Sequence, residues 1–244
     1  MTTADASVTR EPARRRRVVR HLGTGLIVVG VLFLAWTLVV WRWNDPFTGL
    51  YTRWQQHKLA HQYTSLVSHY HAHAAPPPHA TLAQRERTVA LDATRFRAHA
   101  TQGEAIGRIV VPRLGLHMVL VNGTDHDSLT RGPGRDLRTY MPGQGELVYI
   151  AGHRTTYLAP FAHIDEMRPG DTITLQMPYG TFRYVVTGHQ IVDAHALWVL
   201  RTHHREVVAL QACHPRFFAT HRYIVWAKPV LVQPRNGRPY APNT

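Results

Sequence analysis

One cysteine, Cys213, stands in a chain of 244 residues, so no internal disulfide can form. Acidic side chains are scarce as well: 15 against 28 basic ones, for a formal charge of +13. Charge is missing altogether from His21 to Trp41, a run of twenty-one residues. As a helix that run spans roughly 30 Å, the thickness of a bilayer core. Arg14 to Arg17 and Arg20 precede it, and Trp36, Trp41 and Trp43 cluster at its far end. The positive-inside rule then places the N-terminus in the cytoplasm and everything after Asn44 outside it. No small-x-small cleavage site follows the run, which favours a single-pass anchor over a removable signal peptide. An exported basic domain suits anionic headgroups or wall polymers and excludes nucleic acid as a partner.

The composition divides the chain into a basic cytoplasmic tail (1–20), a transmembrane anchor (21–43), a stalk or linker (44–104), a β-rich domain (105–232) and a tail (233–244). Residues 47 to 73 read as a polar helix with a weak apolar stripe. The prolines of "AAPPPHA" end any helix near Ala75. From Ala105 the pattern changes to short runs rich in Val, Ile, Tyr and Thr: "IGRIVV", "LHMVLV", "ELVYIAG", "DTITLQM", "TFRYVVTGHQIV", "EVVALQAC" and "RYIVWAKPV". Turn signals separate several of them, and "DHDSLTRGPG" reads as one short helix with a Gly stop. No long amphipathic helices alternate with these strands, which argues against a parallel α/β sheet. The fold class is all-β, a barrel or sandwich of seven or eight strands.

Cys213 ends the run "EVVALQAC", and Pro215 stops that strand soon afterwards, so the thiol belongs at a strand end. It is either a small buried hydrophobe or a nucleophile. A nucleophile needs an imidazole and an oxyanion donor. Eighteen histidines make any one uninformative by number, but His153 also follows a strand, "ELVYIAG". His214 is the poorer partner, because neighbours on a strand point to opposite faces. Arg222, nine residues after Cys213, returns beside the thiol if a hairpin forms. Taken singly, His153 reads equally well as an exposed loop residue and Arg222 as a solvated strand residue.

Together, "YIAGHRTTYLAPFAHIDEMRPGD" and "LQACHPRFFATHRYIVWA" resemble the sortases, membrane-anchored cysteine transpeptidases of Gram-positive bacteria. The string from His153 to Phe161 and the Cys-His-Pro step look most like class E of actinobacteria. The resemblance implies a closed eight-stranded β-barrel, with Cys213 as nucleophile, His153 as acid–base and Arg222 as oxyanion or peptide donor. It also implies cleavage of a C-terminal sorting motif of exported proteins. The acyl group passes to an amine of a peptidoglycan precursor or of a pilin, with no cofactor and no metal. Preference for Leu-Ala-x-Thr-Gly over Leu-Pro-x-Thr-Gly follows from the class, with Tyr157 as the matching determinant. Where the family usually carries Thr-Leu-x-Thr-Cys, this chain has Ala209 and Ala212 in place of the two threonines. Both positions are therefore candidate substrate contacts.

Two other readings stand beside this one. The missing threonines suit a membrane-tethered binding module with a degenerate site. In the stalk, His57 and His61 are four apart, and His69, His71 and His73 alternate, a spacing that zinc sites also use. No acidic or cysteine ligand accompanies them, which favours a solvated surface.

Overall fold

The computed structural model describes residues 11–43, 46–202 and 204–243. The chain divides into two units, Met1–Asn44 and Asp45–Thr244. The first holds one helix, α1 (Glu11–Trp43), whose stretch Arg15–Val39 is long and apolar enough to cross a membrane. Leu26, Ile27, Phe33 and Leu34 are exposed on it, a surface of the kind lipid covers. Thr24 and Thr37 turn their hydroxyls back onto the carbonyls of Arg20 and Phe33, at 3.0 and 2.8 Å, so neither polar group is left bare.

In the second unit eight strands close into a barrel: β1 (Ala105–Val111), β2 (Leu116–Asn122), β3 (Gly134–Arg135), β4 (Leu147–Ala151), β5 (Thr172–Met177), β6 (Gly180–Asp193), β7 (Val207–His214) and β8 (His221–Pro234). Around the barrel the order is β1-β2-β3-β4-β7-β8-β6-β5. Each of the seven β-type runs becomes a strand. The eighth, β3, is two residues long and lies in the "GPGR" where the sequence pattern suggests a helix stop. The short helix before it, α4 (His126–Arg131), forms as expected, with the Asp125 carboxylate accepting from the Ser128 amide.

Strand alternation makes two cores. Val148 and Ile150 of β4, Val208, Leu210 and Ala212 of β7, and Tyr223, Val225 and Ala227 of β8 fill the barrel. On the outer face Leu147, Tyr149, Ala209 and Ile224 form a second cluster with Val192 and Val199. The turn Leu197–Leu200, in the connection between β6 and β7, supplies part of its cover.

The stretch 44–104 departs most from its reading as a stalk. Its described residues form α2 (Pro46–His69) and α3 (Leu82–His99), and both pack on the barrel. Leu59 and Tyr63 of α2 are buried against Val119 and Val121. Val89, Ala93 and Phe96 of α3 join the main core. Each large apolar side chain buried this way stabilises by roughly 1.5–3 kcal/mol. Polar contacts set the register of α2: the Thr52 hydroxyl donates to the Thr130 carbonyl at 2.9 Å. The Gln56 side chain also donates to the Arg131 carbonyl and accepts from the Val119 amide, both at 2.7 Å. A capping box of Thr81 and Gln84 starts α3. Of the alternating histidines, His73 is held by Asp92, buried at 4% exposure, through its Nδ1 at 2.7 Å. The C-terminal stretch is likewise tied down, since Tyr240 and Val232 exchange both backbone hydrogen bonds at 2.9 Å.

Candidate active site

Two strand pairings assemble the site. Strands β4 and β7 run parallel, with Ala151 opposite Gln211. The amide of Gly152 continues the ladder by donating to the Gln211 carbonyl at 3.0 Å. His153 follows Gly152 and lines the same cleft as Cys213. Strands β7 and β8 are antiparallel, and Cys213 lies directly opposite Arg222. Alternation then turns Ala151, Gln211 and Cys213 toward one cleft on the outer face of the sheet. His153 and Arg222 line the same cleft, of about 280 Å3. Tyr149 and Val192 furnish apolar wall from the sheet, while Leu197 and Leu200 come from the 3-10 turn. Thr124, Asp136 and Arg138 line the cleft as well, and Arg138 is bound to Asp136 at 2.7 Å.

Cys213 and His153 are both half-buried. Burial pushes the His153 imidazole below its ordinary value of 6.5, and the charge of nearby His126 adds to this. Its Nε2 is buried and has no hydrogen-bond partner among the described residues. A neutral ring with an unpartnered nitrogen in a cleft can take a proton from, or give one to, whatever enters. Arg222 donates from Nη1 to the carbonyls of Ala219 and His221, at 2.8 and 3.0 Å. One nitrogen thus fixes the guanidinium to its own hairpin, and the other two carry its remaining donors.

The loop that carries His153 is shaped by close approach. A Cβ on Gly152 would meet the Phe161 ring at 2.6 Å, so only glycine admits that fully buried ring. The Phe161 amide donates to the His153 carbonyl at 3.1 Å and closes the loop. Between them Tyr157, Leu158 and Ala159 all have positive φ, of 53°, 62° and 41°. Such left-handed residues cost of order 1–2 kcal/mol each and persist only where surrounding contacts hold them. One such contact comes from α2, where the Thr48 hydroxyl accepts from the Tyr157 amide at 3.0 Å.

Two expected substrate contacts, Ala212 and Ala209, need correction. Ala212 points into the barrel core and is fully buried, because it alternates with Cys213. Ala209 shares the face of Cys213 but lies fully covered in the outer cluster. Tyr157 lies beside the cleft, between two imidazoles, with its ring 5.0 Å from that of His153 and 6.2 Å from that of His126. His214 is turned away to accept a hydrogen bond at Nδ1 from Arg154 at 2.9 Å. Arg154 falls inside the string that carries the family resemblance, but nothing in the sequence marks its burial or its partners. His57 and His61 face each other with their Nε2 atoms 3.3 Å apart, but among the described residues no three His, Cys, Asp or Glu side chains group to hold a metal.

The closed barrel with a thiol and an imidazole at the ends of parallel strands defines the class. The chain belongs to the sortase family, whose domain model matches residues 109–230, half of the chain. It is 31% identical over 132 residues to sortase D of Bacillus subtilis, which covers 52% of this chain and 65% of that protein. It is 28% identical over 156 residues to sortase SrtE1 of Streptomyces coelicolor, covering 57% of this chain and 44% of that protein. The chain thus spans less than two thirds of either relative. Among solved structures it resembles a sortase D5 transpeptidase of Clostridium perfringens, with a TM-score of 0.58 and 22% identity. That match covers 72% of this chain and 98% of the other, and it is a likeness of fold.

Proposed function

We propose that this chain is a membrane-anchored cysteine transpeptidase. The observation that carries the reading is the convergence of Cys213, His153 and Arg222 on one cleft through two independent strand pairings. The Cys213 sulfur attacks the carbonyl of a peptide bond in an exported protein as its proton passes to His153, and Arg222 donates to the oxygen that gains charge. As the tetrahedral intermediate collapses, the C–N bond breaks and His153 protonates the departing amine. A thioester remains on Cys213. An incoming amine attacks it, His153 takes up the amine's proton and passes it to the departing sulfur, and the thiol is released with a new amide in place of the old one. Every bond broken is matched by one formed, so no cofactor is required.

The substrate is a C-terminal sorting motif of the Leu-Ala-x-Thr-Gly or Leu-Pro-x-Thr-Gly kind, and the acceptor is an amine of a cell-wall precursor or of a pilin. The apolar wall of Tyr149, Val192, Leu197 and Leu200 suits the leading leucine. Resemblance to class E rests on the string from His153 to Phe161, while the matched relatives include both a sortase D and an E-type enzyme. The arginines before the span of α1 support a cytoplasmic N-terminus, with residues 105–232 outside as the catalytic domain. The rival reading, a binding module with a degenerate site, draws on Ala209 and Ala212. Both are buried out of the cleft, so their lost hydroxyls leave its walls intact.

The test is mass spectrometry of the full chain after incubation with each motif peptide. An acyl adduct on Cys213, absent in Cys213→Ala, is expected. Peptide bound without any adduct, at any time point, favours the binding module.

A further inference from the structure

We propose that Arg154 is a positioning residue that sets the approach of His153 to Cys213. This rests on the transpeptidase reading for its consequence in turnover, though not for its geometry. The Arg154 side chain is 3% exposed, and its guanidinium joins three segments. Nη2 pairs with Asp165 Oδ2 at 2.7 Å. Nη1 donates to the backbone carbonyl of Cys213 at 3.3 Å and to His214 Nδ1 at 2.9 Å. The guanidinium also lies 5.9 Å from the centre of the Tyr223 ring, which belongs to β8.

Arginine in a protein can only donate hydrogen bonds, so the Nδ1 of His214 must offer its lone pair. His214 is therefore held as an acceptor beneath the site rather than offered to the cleft as a base. A buried guanidinium is costly to desolvate unless partners surround it, so the three segments are drawn to a common centre. Two of them are decisive. Arg154 follows His153 directly, while the Cys213 carbonyl belongs to the nucleophile itself. Apart from this clamp, the ladder between the two residues ends at the bond from the Gly152 amide to the Gln211 carbonyl. Beyond that bond the chain leaves regular structure, and the left-handed turn at Tyr157 to Ala159 begins. Arg154 thus ties the last residues of the imidazole loop to the strand end that bears the thiol. It touches neither substrate nor reacting atoms and acts through the separation it maintains.

The consequence falls on kcat rather than on KM, because a misplaced acid–base pair slows the chemical steps without changing the cleft walls. Displacement of a catalytic group by about 1 Å costs on the order of 100-fold. The experiment uses the full chain with Arg154→Met, Arg154→Lys and Asp165→Asn. Arg154→Met is expected to lower kcat about 100-fold with KM within about threefold. Arg154→Lys is expected to recover only a minor part, since one ammonium cannot bridge Asp165, the Cys213 carbonyl and His214 at once. Asp165→Asn, at a half-exposed partner where water can substitute, is expected to lose less than tenfold and keeps the fold testable if Arg154→Met does not fold.

A second readout needs no catalysis. His153→Cys is made with Arg154 intact and with Arg154→Met, and the rate of disulfide formation with Cys213 under a mild oxidant is compared. Closure is expected to slow at least tenfold when Arg154 is replaced. Equal closure rates, or a kcat within threefold of wild type for folded Arg154→Met, overturn the proposal. A wild type that turns over no peptide defeats the transpeptidase reading instead, and the disulfide rates still decide the clamp.

Discussion

The two halves of the cleft are built by different means. Cys213 and Arg222 face each other across the β7–β8 ladder, where backbone pairing alone fixes their register. His153 stands just past the last ladder bond of β4, on a loop with three left-handed residues and a ring packed against Gly152. The thiol half is held by regular hydrogen bonds that many sequences satisfy. The imidazole half depends on particular side chains from distant segments: Phe161, Thr48 of α2, and Arg154 with Asp165. Chemistry that needs both halves is therefore more vulnerable to change on the loop side than on the hairpin side, the proposed nucleophile Cys213 excepted.

Substitutions on each side test this contrast. Cys213→Ala should abolish peptide cleavage while leaving the melting temperature within a few degrees of wild type, because a half-buried thiol at a strand end contributes little packing. Residual cleavage within tenfold of wild type would rule out covalent catalysis at this residue. Gly152→Ala should come next. Its Cβ would sit 2.6 Å from the Phe161 ring, and overpacking of that kind costs about 1–3 kcal/mol. Thermal melting and kcat should both fall, whereas Ala212→Gly on the hairpin side should lower stability with kcat in the folded protein nearly unchanged. A Gly152→Ala variant as active and stable as wild type would mean that the loop is looser than the contacts imply.

Thr48→Val removes the acceptor of the Tyr157 amide and should cost about 1–2 kcal/mol in stability. Because that bond holds a left-handed turn against His153, hydrogen exchange at residues 156–159 should rise while exchange in β7 and β8 stays unchanged. Uniform loosening of the whole barrel would erase the distinction between the halves.

The smallest effect expected is a shift in pH dependence. Burial first, and the charge of His126 second, hold the His153 imidazole below 6.5. The folded state therefore takes up its proton at lower pH than the unfolded chain does. Stability contributed by the neutral ring is present above the unfolded value and is lost as pH falls below it. His126→Gln removes the repulsion, so the acid limb of kcat/KM should move to higher pH, with the larger effect of burial remaining. Movement of that limb to lower pH would show that His126 acts on the site by some route other than its charge.

Much of the hairpin half is legible in the order of residues alone. Seven strands, the turn back from Cys213 to Arg222 and the poor placement of His214 all follow from alternation and spacing, which are local properties. Alternation also carries the means to correct Ala212, since its side chain must face away from that of Cys213. Other features lie out of reach of such patterns. Two-residue β3 has no periodicity to read, and its Arg135 is buried by accepting partners such as Asn122 rather than by hydrophobicity. The apolar stripes of α2 and α3 are diluted by histidine and arginine, so both helices pass for a stalk.

The apolar span, the β-strands and the one thiol are fixed by residues adjacent or regularly spaced along the chain. That α2 braces the Tyr157 turn, that Tyr157 lies between His126 and His153, and that Arg154 is buried behind Cys213 become visible once the barrel closes. These depend on groups distant in the chain meeting in one place. Buried polar groups must be satisfied there by whichever partners the closed barrel brings within reach, and no local pattern encodes which partners those are.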